Sequence, residues 1–347
     1  MRLIRKALVV AGSLAYATSA FGVTSLAFAQ DEVKVGVNGV LSDVVFYIAQ
    51  SRGYFAEQKI KLTFVSFDSG PKMIAPLGTG QLQVVAGAVS AGLFNAVARG
   101  VDIKIVADKG SMGPGRNYMP LMVRKDLVDS GKVKSFADLK GLKIGEAGQG
   151  GSPGSTLNEA LKKGGLTYAD VEHVYLPYPQ QVAALANKAI DAAITTEPSA
   201  TMAVKSGVAV RFSDDTLYPN QQVAALLYGG DFIRKQRDVA QRFMTAYLQG
   251  SRIYNDAIAT GRLNGAGSDE VTKLIAENMN FKDISLMKEM IPNGIDPNGK
   301  IDRPSLENDL KFFNDQRYIE RPITVDAVLD SSFAEKSVEI LGPYRPK

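Results

Sequence analysis

The chain has 347 residues, with 40 lysines and arginines against 36 aspartates and glutamates, one histidine and no cysteine. This length is sufficient for two domains. The absence of cysteine excludes disulfides, thiol nucleophiles, thiolate metal sites and a lipid anchor attached to cysteine. A single histidine also excludes a multi-histidine metal site.

The first element in chain order is an N-terminal export signal. Three cations within the first six residues precede a mostly apolar stretch, which closes on the small-x-small sequence Ala-Phe-Ala at residues 27–29. We therefore expect cleavage after Ala29 and a freely soluble protein in the periplasm of a double-membraned bacterium. Removal of residues 1–29 takes away three of the 40 basic residues and no acidic one, which leaves 37 against 36. Nucleic acid is therefore not an expected partner.

Alternating strand and helix patterns follow the signal. Strands are predicted at residues 33–37, 61–67, 82–86 and 103–107, and apolar residues recur at helical spacing between them. This alternation predicts a mostly parallel sheet with helices on both faces. In such sheets, ligands bind beyond the carboxyl ends of the strands.

A loop rich in glycine and proline at residues 108–120 interrupts this rhythm and is a candidate crossing between two lobes. Further strands are then predicted at 142–145, 171–176, 189–195 and 208–212, and the chain becomes mainly helical from Asp231. The predicted fold is an α/β two-lobe clamshell of the type II periplasmic-binding-protein kind. Lobe 1 comprises residues 30–120 and 214–347, the latter mainly helical, and lobe 2 comprises residues 121–213.

Several short motifs carry a family resemblance. They are Gly-Tyr-Phe-Ala-Glu at 53–57, Ser-Phe-Ala-Asp-Leu-Lys-Gly at 135–141, the segment 183–193 that ends in Ile-Asp-Ala-Ala, and Glu197-Pro198. In this order and spacing, the chain resembles the solute-binding proteins of nitrate, sulfonate and taurine ABC importers, a group that includes proteins similar to the thiamine-pyrimidine synthases. The resemblance covers about residues 33–250, with departures at Gln83 and Lys188.

The resemblance implies two lobes joined by two crossings, a ligand held between them, and docking of the closed form onto a membrane permease. We expect a monomer without a cofactor, which binds a small organic anion such as a sulfonate or a carboxylate. Three alternatives stay open: an enzyme like the thiamine-pyrimidine synthases, a pyrimidine-binding protein, and a ligand-sensing receptor subunit. The single histidine and the missing cysteine oppose the enzyme.

Candidate ligand-binding residues follow from these patterns. The glycine-rich segment 148–156 leads into a helix, so its amides and hydroxyls form either an anion site or a plain helix cap. Arg116 in the crossing loop is the preferred cation, ahead of Lys72 and Lys109. Strand-end loops supply small polar groups, and two tyrosines next to prolines could form an aromatic wall. The predicted site comprises Asn38, Gly39, Leu41, Ser42, Ser69, Ser90, Arg116, Gly151, Ser152, Ser155, Tyr178, Thr195, Glu197 and Tyr218.

Three of these candidates and the single histidine have a second interpretation. Glu197 is either a ligand contact or a contact between the lobes, and the anionic ligand favours the latter. Tyr178 and Tyr218 could instead be ordinary packing residues. His173 lies in a predicted strand without a nucleophile motif nearby, so we interpret it as structural.

Overall fold

Two mixed β-sheets of five strands each organise the chain in the computed structural model, which describes residues 30–258, 261–279 and 284–347. The predicted export signal at 1–29 lies outside the described residues. Sheet one has the strand order β2-β1-β3-β10-β4 and sheet two the order β7-β6-β8-β5-β9. The strands are β1 (Asp31–Val37), β2 (Ile60–Ser66), β3 (Val84–Ala88), β4 (Ile103–Ser111), β5 (Leu121–Arg124), β6 (Lys143–Glu146), β7 (Glu172–Tyr175), β8 (Ala192–Ile194), β9 (Ala209–Arg211) and β10 (Gln222–Gly229).

Each sheet combines parallel strands with one inserted antiparallel strand. In sheet one, β1 pairs in parallel with β2 and β3, and β10 runs antiparallel between β3 and β4. In sheet two, β6 pairs in parallel with β7 and β8, and β5 runs antiparallel between β8 and β9. The antiparallel strand is in each case the first one that the chain forms after it crosses from the other sheet.

The helices cover the sheets and form most of the C-terminal part. They are α1 (Val44–Ser51), α2 (Tyr54–Glu57), α3 (Ile74–Gly78), α4 (Ala91–Ala98), α5 (Lys125–Asp129), α6 (Ser152–Lys163), α7 (Tyr178–Ala186), α8 (Ser199–Lys205), α9 (Gly230–Lys235), α10 (Arg237–Ala257), α11 (Ser268–Asn278), α12 (Ile284–Glu289), α13 (Arg303–Asp315), α14 (Val325–Val328) and α15 (Ser332–Leu341). Within the described part of the chain, no helix has the length and apolar character of a membrane span.

The longest helix, α10, anchors the core on one face of sheet one. Its buried aromatic residues Phe243 and Tyr247 meet Phe46 of α1, with ring centroids 6.3 and 5.3 Å apart. Burying a side chain of this size contributes about 1.5–3 kcal/mol. The helices approach so closely that a Cβ on Gly250 would lie 2.7 Å from the carbonyl oxygen of Val45, so glycine is required there.

The chain crosses between the sheets twice, after β4 and again after β9. The first crossing, residues 112–120, falls within the loop that the sequence indicates, although β4 extends to Ser111. A second apolar core continues from sheet one into sheet two through α6 and α13, and includes Ile105, Ile144 and Leu306. The two sheets are therefore packed together, and their strand ends enclose the site described next.

Candidate functional site

A small cavity lies where the carboxyl ends of strands from both sheets meet. Sheet one contributes the loops after β1 and β2, the end of β3, and parts of β4 and β10, while sheet two contributes the loops after β6, β7 and β8. The cavity volume is about 30 Å³. A water molecule needs roughly 10–15 Å³ by the same measure, so the space is close to that of two waters. An organic solute would therefore require a wider separation of the two sheets.

Lys109, near the end of β4, is the one charged side chain on the described lining of this cavity. Its side chain is only 1% exposed, and Nζ lies 2.8 Å from Oδ1 of Asp43, which is equally buried. The pair is close enough for an ion pair, although its angles fall outside hydrogen-bond geometry. The other oxygen of Asp43 accepts a hydrogen bond from the backbone N–H of Val40 at 2.9 Å. A buried ammonium needs such a counter-charge to be tolerated.

Three buried hydroxyl groups on the lining have no hydrogen-bond partner among the residues that the structure describes. They belong to Ser42 after β1, Tyr118 in the first crossing and Thr196 after β8. Burial, together with the nearby charge of Asp108, raises the pKa of Tyr118 well above its ordinary value, so this hydroxyl stays a donor at neutral pH. Leaving a buried polar group without a partner costs about 1–3 kcal/mol, so the three hydroxyls favour a ligand with hydrogen-bonding atoms.

A glycine in β4 makes room for the tyrosine hydroxyl. A Cβ on Gly110 would lie 2.7 Å from Oη of Tyr118 and 3.5 Å from Cβ of Ser42. Oη of Tyr118 and Cβ of Ser42 therefore lie near the same point of the β4 backbone. Both residues belong to the lining of the cavity.

Backbone hydrogen bonds join the two sheets around the cavity. The N–H of Ala91 donates to the carbonyl oxygen of Gly150 at 2.8 Å, and the N–H of Ser152 donates to that of Val89 at 3.0 Å. On the other side, the N–H of Leu41 donates to the carbonyl oxygen of Glu197 at 3.2 Å. The structure is therefore a closed arrangement in which both edges of the cleft are bonded.

The glycine-rich segment 148–156 contributes to the lining mainly through its backbone. Helix α6 begins at Ser152, whose N–H is already bonded across the cleft, and Pro153 has no N–H to offer. The N–H of Gly154 donates to the carbonyl oxygen of Gly151 at 3.0 Å. The first amides of the helix are thus engaged within the protein, and the positive charge at the cavity comes from Lys109.

The structure brings some of the sequence-predicted site residues together on the lining. These are Asn38, Ser42, Ser69, Gly151 and Tyr178. The remaining predicted residues lie outside the lining; they are Gly39, Leu41, Ser90, Arg116, Ser152, Ser155, Thr195, Glu197 and Tyr218. Burial raises the pKa of Tyr178, and the charge of Glu146 adds to that effect, so its phenol also stays neutral.

Two predicted residues outside the lining have clear structural partners. The buried carboxylate of Glu197 pairs with Arg211 and accepts a hydrogen bond from the N–H of Ile291 at 2.9 Å, which joins sheet two to the C-terminal segment. The hydroxyl of Ser155 donates to Asp309 of α13 at 2.6 Å. Both side chains are occupied within the protein rather than directed at the cavity.

Other predicted residues take comparable structural places. The hydroxyl of Tyr218 donates to the same carboxylate of Asp309 at 2.8 Å. Ser90 caps α4 by accepting from the N–H of Leu93 at 3.4 Å. Arg116 is half-buried in the first crossing, where its own N–H donates to the carbonyl oxygen of Gly113 at 2.8 Å. The cation at the cavity is therefore Lys109, and Arg116 lies away from it.

The single histidine belongs to a buried cluster behind the cavity. Nδ1 of His173 lies 2.7 Å from Glu146, Nε2 lies 2.8 Å from the carbonyl oxygen of Tyr168, and its ring stacks on that tyrosine at 4.0 Å. Burial lowers the pKa of His173, but the hydrogen bond and charge of Glu146 outweigh it and hold the pKa above its ordinary value. No group of three or more potential metal ligands occurs among the described residues.

Residues 43–259 match a protein-family model described as NMT1/THI5 like. The chain belongs to this family. Over 190 residues it is 28% identical to the putative aliphatic sulfonates-binding protein of Escherichia coli K12, which covers 55% of this chain and 54% of that protein. The chain thus spans about half the length of that curated relative. The resemblance seen in the sequence is confirmed.

Solved structures of two binding proteins and one enzyme have the same fold. The nitrate-binding protein NrtA of Synechocystis PCC 6803 superposes with a TM-score of 0.73 at 15% identity, over 90% of this chain and 89% of NrtA. The alkanesulfonate-binding protein SsuA of Xanthomonas axonopodis, bound to MOPS, gives 0.68 at 18% identity over 86% and 98% of the two chains. The desulfurization enzyme DSZB gives 0.59 at 16%, over 90% and 100%. The predicted two-lobe fold class is confirmed.

Proposed function

We propose that the protein is the periplasmic solute-binding component of an ABC importer and captures a small organic anion between its two lobes. The observation that carries this proposal is a cavity lined from both sheets, with one buried ammonium and three unpartnered hydroxyls. The family membership and the sulfonate- and nitrate-binding relatives support it. The permease partner and the periplasmic location are part of the proposal.

The donors around the cavity suit an oxoanion. The ammonium of Lys109 supplies a point charge, and hydroxyls supply short hydrogen bonds to charged oxygens. Ser42 belongs to the sheet-one side and Thr196 to the sheet-two side, so a sulfonate or carboxylate between sheets that close less far than in this structure would face hydroxyls from both sides. A ligand that contacts both sides binds the closed form more tightly than the open form, and so shifts the population towards closure.

An enzyme on this fold is the main competing function, because DSZB shares the architecture. One of its structures carries a cysteine-to-serine substitution and holds biphenyl-2-sulfinic acid. The present chain has no cysteine at any position, and its one histidine is bonded to Glu146 and Tyr168 behind the cavity. Binding without chemistry is therefore the function that we propose.

Calorimetric titration tests the anion-binding function. We expect one or more of methanesulfonate, longer alkanesulfonates, nitrate and short carboxylates to bind saturably. The double variant Lys109→Met with Asp43→Asn removes both buried charges together and should weaken binding by about a hundredfold, because a charge-assisted contact is lost. The variant Lys72→Met is the control, since Lys72 forms an exposed ion pair with Asp68.

Two outcomes would contradict the proposal. Saturable binding of an uncharged pyrimidine, with no binding of any anion, would show that the ligand is a neutral solute and not an anion. Equal anion affinity in the wild type and the double variant would show that Lys109 does not contribute to anion binding.

A further inference from the structure

The carboxylate of Asp43 pairs with a residue of the cavity lining but is not itself on that lining. Lys109 is that lining residue, and its Nζ lies 2.8 Å from Oδ1 of Asp43. Both side chains are only 1% exposed, so water screens their interaction little. One oxygen of Asp43 is held by the N–H of Val40, which fixes the carboxylate in the turn that precedes α1.

This arrangement makes the bound anion and Asp43 competitors for the same ammonium. A bound anion in the cavity would interact with the ammonium of Lys109 while Asp43, which is not on the lining, is also paired with that ammonium. The described lining offers no second cation, so Lys109 is shared between Asp43 and the ligand. A monoanion then leaves one negative charge in excess at the site, whereas a dianion leaves two. Burying an uncompensated charge is strongly unfavourable.

We propose that Asp43 is a positioning residue that holds Lys109 in the closed site and, as a competing counter-ion, lowers its affinity for anions and restricts the site to monoanions. This inference rests on the proposed function, because it assigns the charge class of the same ligand. A carboxylate that lowers affinity also accelerates release, which suits a protein that must hand its solute on.

The substitution Asp43→Asn separates the two roles of the carboxylate. The amide oxygen of asparagine can still accept from the N–H of Val40, so the turn keeps its cap. The ammonium of Lys109 loses its counter-charge, which destabilises the protein but leaves the cation available to an anion. The matched control is Asp68→Asn, which breaks another aspartate–lysine pair. Asp68 pairs with Lys72, and their side chains are 60% and 62% exposed, respectively.

The test measures the thermal unfolding midpoint and the dissociation constant with methanesulfonate as the monoanion and sulfate as the dianion, at equal ionic strength. We expect Asp43→Asn to unfold at a lower temperature than the wild type and to bind methanesulfonate about tenfold or more tighter. The ratio of its dissociation constants for sulfate and methanesulfonate should be smaller than that of the wild type. Asp68→Asn should match the wild type in all three respects. If Asp43→Asn does not fold in buffer, methanesulfonate should restore the folded protein.

Each other result is decisive. A folded Asp43→Asn protein that binds methanesulfonate no tighter than a binding-competent wild type overturns the inference and leaves the proposed function intact. Methanesulfonate binding by Asp43→Asn alone supports the counter-ion role but contradicts anion capture by the native site. Failure of both proteins to respond, or an unfolded variant that no anion restores, overturns the inference; the wider solute panel described above then decides the proposed function.

Discussion

Replacing Asp309 by asparagine should stabilise the protein at alkaline pH and not at acid pH. Asp309 lies on α13 and is completely buried, and its Oδ1 accepts hydrogen bonds from Ser155 at 2.6 Å and Tyr218 at 2.8 Å. Its Oδ2 has no hydrogen-bond partner within the described part of the chain. Burial raises the pKa of Asp309 from 3.8 to about 7, even though the two hydrogen bonds act in the opposite direction.

The magnitude follows from linkage between protonation and folding. The interval from 3.8 to about 7 corresponds to roughly 4 kcal/mol of unfavourable burial when the carboxylate is ionised. The folded state keeps a proton that the unfolded chain releases, so stability falls as pH rises through this window and levels off above about 7. Asparagine removes this cost, but its amide N–H groups would lack an acceptor at about 1–3 kcal/mol. We expect a net gain of about 1–3 kcal/mol at pH 8 and none, or a loss, at pH 5.

Urea unfolding at pH 5, 6, 7 and 8 measures this effect. Burial also raises the pKa of Asp108, to about 6, so both proteins share a loss of stability as pH rises to that value. The wild type has the additional loss due to Asp309, so the two stability curves should diverge from pH 5 to about pH 7 and then run parallel. Asp315→Asn is the control, because that exposed carboxylate on the same helix pairs with Lys311. Parallel stability curves for the wild type and Asp309→Asn between pH 6 and 8 would refute the reasoning.

Three further predictions concern the cleft and the cluster behind it. Gly148→Ala should weaken ligand binding and enlarge the radius of gyration in small-angle scattering, because its Cβ would lie 3.2 Å from Ser69 across the cleft. Gly110→Ala should weaken binding about tenfold, because its Cβ would displace the hydroxyl of Tyr118. An NMR titration of His173 should give a pKa above 6.5, so the stability that its carboxylate partner provides is complete below 6.5 and is lost as pH rises through the folded-state value.

Each of these predictions has a control in the chain. Gly113→Ala should change neither binding nor scattering, because no described residue other than its chain neighbours has an atom within 4 Å of its Cβ position, and its backbone is not left-handed. Tyr118→Phe should weaken binding as much as Gly110→Ala does, and unchanged affinity in both would show that this hydroxyl does not contact the ligand. Glu146→Gln should lower the pKa of His173, since burial then acts with less opposition.

The order of the elements could be predicted because alternating strand and helix patterns are local in sequence. The first predicted strand, 33–37, falls within β1, and the loop rule placed Ser42 and Ser69 beside the cavity. Strands β5 and β10 were not predicted, because all their residues are buried and their apolar runs lack the alternation that identifies a strand. Without these two strands, the sheets were expected to be mostly parallel, and they are mixed.

The identity of the cavity cation could not be read from local sequence. Lys109 lies on the lining because β4 continues to Ser111. Strand β4 extends that far because it pairs with β10, more than a hundred residues later in the chain, where Gln222 faces Ser111. The predicted end of that strand at residue 107 put Lys109 in a loop together with Arg116. A lysine two residues beyond the end of a predicted strand is the one local signal, and Asp43 as its partner depends on tertiary structure alone.

Closure of the cleft depends on a few small free-energy contributions, and a ligand changes their balance. The three backbone hydrogen bonds across the cleft contribute about 0.5–1.5 kcal/mol each. Closure also removes the hydroxyls of Ser42, Tyr118 and Thr196 from water, and each costs about 1–3 kcal/mol unless it finds an acceptor. The cost is about twice the gain, so these contacts alone do not favour the closed form. Under the proposed function, an anion that accepts from the three hydroxyls would remove this cost and so shift the population towards closure.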